Sequence, residues 1–480
     1  MASTIKVDNV QNQPGTNIVS KCGTDVTLGA SGDTVALAAG ASQTGFGRTG
    51  TVDWQTGDIK TGDFTAATGK GYFVNTTSGT ITATLPASPT AGDIVGLKDY
   101  ALTFDTNSMF IGRNSEPING TTGTTLEIST EGATIMLVYV DGVKGWIPTQ
   151  DDASALIPVT PAYVVATGGT PCAGAIVCTN YKIHTFTGPG TLAVSCGGNA
   201  AGSNVVDYLV VAGGGAGGTS NGGGGGGGAG GFRLSNSTCM SAPLTSPLAT
   251  PTAAPVIATP YPITVGGGGT PVTGAPAPGI KGGSGNTSTF STIDSAGGGG
   301  GGGSDANCTG PGIDGGSGGG AGGQLLGTNT AGAGNTPPTN PAQGEPGGTS
   351  TPPGGGNTGS GGGGAGAAGS DSTPPAIAGP GGVGSYVVQT GFGGCYGTPG
   401  PVPSTRYFAG GGGANTENGP APAQGAGGAG GGGAGAQTGS SATAGGCNTG
   451  GGGGGIDTSP YGQTSGAGGS GIVIIRYKFQ

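Results

Sequence analysis

Residues 222–231 read Gly-Gly-Gly-Gly-Gly-Gly-Gly-Ala-Gly-Gly. A run without side chains buries no apolar surface and nucleates no ordinary core. Fixing the backbone of seven glycines costs on the order of 10 kcal/mol with nothing apolar to offset it. Such a run is therefore either linker, or backbone packed against backbone and hydrogen-bonded sideways. Glycine supplies 120 of the 480 residues, with further runs at 297–303 and 451–455, so the choice decides most of the chain.

The flanking sequence argues against linker. Upstream stands Val205-Val-Asp-Tyr-Leu-Val-Val-Ala, an apolar strand running straight into glycine, and the chain closes on Gly471-Ile-Val-Ile-Ile-Arg-Tyr-Lys-Phe. Two complementary strands, 181–211 with its hairpin and 471–479, bracket the glycine region and could pair to close it into one unit. Apolar stretches at Ile263–Val265, Phe290–Ile293 and Tyr386–Val388 punctuate it, and charged residues are only 8% of the chain. Disordered linkers are usually polar or charged throughout.

Collagen is excluded because consecutive glycines destroy the Gly-X-Y phase. What remains is a set of polyproline II-like rods, three residues per turn and about 3.1 Å rise, so seven glycines reach roughly 22 Å. Every N–H and C=O of such a rod points sideways and needs a neighbour. Each net bond is worth about 0.5–1.5 kcal/mol, so a lattice of rods holds where a single rod does not. Ala216, Ala229, Ala321 and Ala365 are expected at the lattice border.

The rest reads as β modules with essentially no α-helix. Residues 1–50 carry short alternating stretches (Ile5–Val7, 25–29, 33–37), each too weakly apolar to fold alone, and are expected as a virion-attachment or oligomerisation segment covered by a partner chain or a virion surface. Residues 51–150 predict a small β-sandwich-like module with strands near 72–75, 81–85, 93–98, 109–112, 125–129, 134–140 and 145–147. Asp141-Gly142 marks a hairpin there, and both tryptophans, Trp54 and Trp146, support a packed core. Residues 151–175 are a proline-spotted linker, and 176–480 form the glycine-rich domain. It opens with a hairpin, Tyr181–Phe186, the turn Gly188-Pro-Gly, and 191–194.

The net charge of −9 excludes a nucleic-acid partner, which needs a basic stripe. No stretch approaches the apolar length of a membrane span. The start Met1-Ala-Ser-Thr-Ile-Lys is not a secretory signal, so synthesis in a cytoplasm is expected. Eight cysteines are too sparse for a disulfide scaffold, and the chain has a single histidine, so neither a metal nor a cofactor is expected. Gly218-Thr-Ser-Asn-Gly222 satisfies Gly-x-Ser-x-Gly only because glycine is abundant, and His184 lies on a predicted strand. Paired carboxylates for polysaccharide cleavage are wanting: Asp53, Asp58, Asp63, Glu127 and Glu131 look like solvated positions.

With Tyr208-Leu-Val-Val-Ala-Gly-Gly-Gly, Ile263-Thr-Val-Gly-Gly-Gly-Gly and Gly469-Ser-Gly-Ile-Val-Ile-Ile-Arg-Tyr in view, residues 176–480 resemble the glycine-rich domain of bacteriophage tail-fibre and adhesin proteins. The middle module is similar to one found in the same kind of fibre, through Gly71-Tyr-Phe-Val-Asn-Thr-Thr-Ser-Gly, Thr84-Leu-Pro-Ala-Ser-Pro, Ile111-Gly-Arg-Asn and Val138-Tyr-Val-Asp-Gly. The resemblance implies a virion fibre, a homotrimer joined to tail or baseplate proteins through its N-terminus. Its polyglycine II tip would recognise host surface polysaccharide or an outer-membrane protein through inter-rod loops. A decoration fibre without a receptor role and a capsule-degrading tailspike are the alternatives. Aromatics in glycine- and proline-rich segments, Tyr386, Phe392, Tyr396 and Tyr461, are the candidate receptor contacts. Phe232, Tyr261 and Tyr407 are expected as framework, and Arg233, Arg406 and Arg476 as strand-end or rim residues.

Overall fold

The computed structural model describes strands at 9–11, 17–22 and 25–28, then 52–149 and 161–480. Within these it leaves out 124, 221, 236–244, 275–278, 304–309, 324–327, 351–357, 374–376, 417–423, 437–438 and 459–460. The chain divides into two compact units, Met1–Val159 and Thr160–Gln480. Among the described residues nearly all regular structure is β, and the helical content is one π turn, Gln389–Gly393.

In the first unit, Asn9–Gln11, Asn17–Cys22 and Asp25–Leu28 form an antiparallel sheet. The stretches expected as strands at Ile5–Val7 and 33–37 lie outside the described residues. From residue 52 the chain alternates between two facing sheets. Asp53–Trp54, Lys70–Val74 and Ile94–Asp99 pair in parallel in one. Phe64–Thr65, Ile81–Thr84 and Met109–Gly112 pair in parallel in the other. Thr125–Ile128, Thr134–Asp141 and Gly145–Pro148 then finish the sheets antiparallel. The expected strands are thus present, but the pairing is coil upon coil before it becomes hairpin. Alternating positions such as Tyr72, Val74, Leu97, Ile135 and Leu137 point into one core that contains Trp146. Trp54 does not join that core; it lies on the outer face. At the 141–145 hairpin the left-handed residue is Gly145, φ +69°, where a Cβ would strike the Pro117 carbonyl.

The second unit begins as strand earlier than expected: Val164–Thr167 and the first six residues of Thr170–Val177 fall inside the stretch taken above as linker. Two sheets face each other there. One contains Thr170–Val177, Tyr181–Phe186, Ile472–Lys478, Val205–Val211 and Phe232–Ser235 in that spatial order. The other contains Val164–Thr167, Gly190–Gly197, Pro260–Thr264, Ser288–Phe290 and Ile293–Ser295. The expected 181–194 hairpin is therefore not one: its two arms belong to opposite sheets, and Gly188-Pro-Gly crosses between them. Each arm offers its apolar positions, Phe186 on one side and Leu192 and Val194 on the other, to the same inter-sheet core.

The bracketing strands pair antiparallel from Asp207↔Arg476 to Val211↔Ile472, at the centre of their sheet. Both faces are covered. Val206, Tyr208, Val210, Val473, Ile475 and Tyr477 fill the core between the sheets. Leu209, Val211, Ile472 and Ile474 pack on the other side against Phe232, Phe392 and Phe408. Burial on two faces explains why these segments read as unbroken apolar runs rather than alternating ones.

Beyond the strands the glycine runs are rods in a lattice. In rod 213–219 the N–H groups of Gly213, Ala216 and Thr219 donate to Asn286, Gly283 and Ile280. Those of Gly214 and Gly217 donate to Gly469 and Gly466, and those of Gly215 and Gly218 to Gly228 and Gly225. All seven bonds measure 2.8–3.0 Å. The partner rod changes with period three, as a threefold helix requires. The carbonyls of Gly213, Gly214 and Gly215 accept from Gly298, Gly269 and Gly453, which lie in three further rods. One rod thus has six neighbours, three fed by its donors and three by its acceptors.

Close approach depends on the missing side chains: a Cβ on Gly225 would lie 2.2 Å from the Gly320 oxygen, and one on Gly226 2.0 Å from that of Gly412. The four alanines are not at the border. Ala216, Ala229 and Ala321 are fully buried, Ala365 is 1% exposed, and all four sit in rods with neighbours on every side. Ala229 and Ala365 achieve this by giving their methyls to the apolar cluster around Phe392 and Phe408.

Candidate functional site

Because successive rods reverse direction, the lattice has two unlike ends. The strand end receives the sheets and their apolar side chains. At the other end the rods finish in small polar residues, buried despite their polarity: Thr219, Asn329, Ser350, Thr358, Ser360 and Asn415 among them. A rod leaving the lattice has room for a Cβ, and a short polar side chain replaces the backbone partner that the next turn would have supplied.

The hydrogen bonds show this replacement. Thr219 Oγ1 accepts the Ile280 N–H at 3.0 Å. Asn329 Oδ1 accepts from the Gly310 N–H at 3.1 Å while its Nδ2 donates to the Gly322 carbonyl at 2.7 Å. Ser350 Oγ donates to the Thr358 carbonyl at 2.9 Å, Ser360 Oγ to that of Thr349 at 2.7 Å, and the Asn415 amide to that of Ala436. The Thr358 and Thr416 hydroxyls meet at 3.2 Å. The outcome is a bonded polar layer closing one end of the lattice.

The sequence between rods that finish at this end includes Ser-Asp-Ala-Asn-Cys-Thr (304–309), Thr-Pro-Pro-Gly-Gly-Gly-Asn (351–357) and Glu-Asn-Gly-Pro-Ala-Pro-Ala (417–423). They lie outside the described residues, and their sequence alone enters the argument. The described residues that flank 351–357 and 417–423, Ser350, Thr358, Asn415 and Thr416, are thus gathered in one hydrogen-bonded layer.

The four candidate contacts divide between the two ends. Tyr461, 58% exposed, stands at the polar end beside the turn at Gly462. Tyr386, Phe392 and Tyr396 all belong to the hairpin region at the strand end. Tyr386 is half-buried, its ring 5.2 Å from that of Tyr407, and Tyr396 packs partly buried against the apolar cluster. Phe392 is only 1% exposed, with the Arg476 guanidinium 4.5 Å from its ring centre, so it is framework and offers no face to a partner. The expected framework residues Phe232 and Tyr407 are buried; Tyr261 is half-buried against Phe290.

Arg476 is no rim residue. It is 1% exposed, and its Nη2 donates to Asp207 Oδ2 at 2.6 Å, with the rings of Phe392 and Tyr181 near its guanidinium. Register could have revealed this, since pairing Val211 with Ile472 sets Asp207 opposite Arg476. Arg233 and Arg406 are half-buried on their strands.

His184 is fully buried, Nδ1 2.7 Å from the Gly168 carbonyl and Nε2 3.0 Å from the Tyr477 hydroxyl. Burial pulls its pKa below the ordinary histidine value, against the Gly168 hydrogen bond. A neutral ring with its proton on Nδ1 satisfies both partners, which is a structural role. Burial likewise pushes the Tyr477 phenol up. Cys172, Cys178, Cys196, Cys395 and Cys447 are free thiols. Among the described residues, no group of three or more His, Cys, Asp or Glu side chains is placed to hold a metal ion, and no helix is long and apolar enough to cross a membrane.

Two closing strands, a lattice of glycine rods between them and a polar layer at its far end define a glycine-rich domain. The protein family described as Glycine-rich domain matches residues 164–478, and the chain belongs to that family. The match begins at the first residue of the Val164–Thr167 strand and ends at the last of Ile472–Lys478. Comparison with curated proteins gives no match.

Proposed function

We propose that this chain is a non-enzymatic bacteriophage tail-fibre or adhesin subunit that recognises the host surface through the connections at the polar end of the lattice. The observation that supports this reading is the gathering of the rod ends, widely separated along the chain, in one hydrogen-bonded polar layer. A rigid scaffold bearing clustered loops is the usual way a protein varies recognition without altering its fold. The lattice tolerates almost no side chains in its interior, so chemical variety is confined to rod ends and the outer flanks of the lattice. Assembly as a homotrimer, attachment to tail or baseplate proteins through residues 1–50, and a place on the virion belong to the same reading. So does a receptor that is a surface polysaccharide or an outer-membrane protein.

The test is binding of the full-length chain to susceptible bacteria, with 351–357 and 417–423 replaced together by Gly-Ser stretches of equal length. Wild-type chain is expected to bind and to compete with phage adsorption, and the replaced chain to lose both with unchanged melting. Equal binding by the two, or no binding to any susceptible strain by folded wild type, overturns the proposal.

A further inference from the structure

The first unit buries an arginine that no acid accompanies. Arg113 follows the Met109–Gly112 strand and is 4% exposed. Among the described residues it makes one hydrogen bond, from Nη1 to the Thr121 carbonyl, and takes part in no ion pair. Its Nε is buried without an acceptor. Arg476, equally buried in the second unit, shows the usual remedy, a carboxylate at 2.6 Å. Acids on the segments around Arg113 are engaged elsewhere. Glu116 accepts from the Tyr139 hydroxyl at 2.8 Å, Glu127 from that of Ser108 at 2.7 Å, and Asp141 from the Val143 and Lys144 N–H groups at 2.8 and 2.6 Å. Burial pulls the guanidinium below its ordinary pKa, and no acid offsets this.

The surroundings fix how the side chain is presented. Asn119 and Gly120, both left-handed, turn the chain so that Ile118 and Thr121 bridge each other. The turn is fastened to the 141–148 hairpin, with the Asn119 N–H on the Trp146 carbonyl at 2.9 Å and the Gly120 N–H on that of Lys144 at 2.8 Å. The Thr121 carbonyl is thereby held in place, and it takes the Nη1 end of the planar fork. The other edge, Nε with Nη2, is the one that grips two oxygens of a single oxyanion in parallel bonds. Nε lies beside Gly123, which is exposed. A Cβ at Gly123 would meet nothing within 4 Å except that Nε, at 3.8 Å.

We propose that the Nε–Nη2 edge of Arg113 is an oxyanion site, taking a singly charged carboxylate or sulfate-ester group that enters beside Gly123. Shape and charge choose this class. A planar fork matches two oxygens of one group, whereas a halide is a sphere without paired acceptors. One guanidinium balances one negative charge, so a doubly charged phosphate would leave an excess in a place with no second cation at that edge. A cation would be repelled.

The proposal concerns the first unit and stands apart from the function assigned above to the polar end of the second. The test follows the Arg113 Nε–H and Gly123 amide resonances of the full-length chain at pH 7 as acetate, methyl sulfate or chloride is added at constant ionic strength. Acetate and methyl sulfate are expected to shift both resonances saturably. They are also expected to raise the melting temperature of wild type more than that of Arg113→Met, which has no charge to satisfy. Arg113→Lys keeps the charge without the fork, and is expected to weaken the response of the Gly123 amide tenfold or more. An unchanged Trp146 indole resonance shows that a variant is folded, and the wild-type titration decides even where one is not. Oligogalacturonate and a sulfated galactan oligomer identify the source of the group. Binding tenfold tighter than acetate or methyl sulfate assigns it to an acidic polymer, and equal binding assigns it to a small free anion; both uphold the site. The proposal is overturned if neither oxyanion shifts the resonances, if chloride shifts them equally, or if Arg113→Lys responds as wild type.

Discussion

Asp207 and Arg476, 269 positions apart, face each other across the two central strands that open and close the glycine-rich domain, Nη2 to Oδ2 at 2.6 Å. Both are buried, 3% and 1% exposed, so the pair joins the chain before the lattice to the chain after it at a site with little solvent contact. Removing one partner leaves an uncompensated buried charge. Asp207→Ala is expected to cost about 3–5 kcal/mol in urea unfolding, whereas the double change Asp207→Leu, Arg476→Met is expected to recover most of that. An unaltered midpoint in Asp207→Ala would show that the two strands are not held together there.

Phe392 and Tyr461 were alike as sequence candidates and differ as structures. Phe392→Ala is expected to destabilise the second unit by about 3–5 kcal/mol, because it empties the space beside Arg476. Tyr461→Ala is expected to stay within about 0.5 kcal/mol in melting experiments while lowering host-cell binding. Reversed outcomes would exchange their roles.

Burial of His184 predicts a pH dependence whose sign follows from the cost of charging a buried ring. Its folded pKa is depressed by burial, so the unfolded chain binds the proton first as pH falls. The contribution is present above about pH 6.5, the unfolded value, and is lost as pH drops below it through the lower folded pKa. Melting temperature measured from pH 7.5 down to pH 5 is expected to fall more steeply in wild type than in His184→Asn. Parallel curves would contradict this.

The lattice predicts a contrast between two glycines. Gly225→Val forces carbon against the Gly320 carbonyl and is expected to cost about 3 kcal/mol, enough to lower the melting point by several degrees. Gly188→Ala, where nothing lies within 4 Å of the new Cβ, is expected to change stability by less than about 0.5 kcal/mol. Equal melting of the two variants would mean that the rods do not touch.

Much of this architecture was legible because its signals are local. The paired strands at 205–211 and 472–478 read as continuous apolar runs, and side-chain-free runs leave few structures open to them. What escaped depends on partners distant in sequence. Gly188-Pro-Gly looks like a hairpin turn, and only the existence of two sheets shows that it crosses between them. The strand Thr170–Val177, largely exposed along one edge, has too little apolar patterning to stand out from linker. In the first unit, strand positions were readable but parallel pairing was not, since alternation is the same in either orientation. Tyr386 and Tyr461 occupy similar glycine-rich surroundings. Counting rod reversals from Val211 would have assigned them to opposite ends, because each rod turns the chain about.

The most direct test is hydrogen exchange at the glycine amides of 213–218 and 224–231, resolved by NMR in the full-length chain. If these runs are rods bonded on all sides, their N–H groups exchange only through opening of the whole lattice, with protection equal to that of Val210 and Ile474 in the central strands. Exchange at the rate of an unstructured glycine peptide, in a chain whose strands remain protected, would contradict the account.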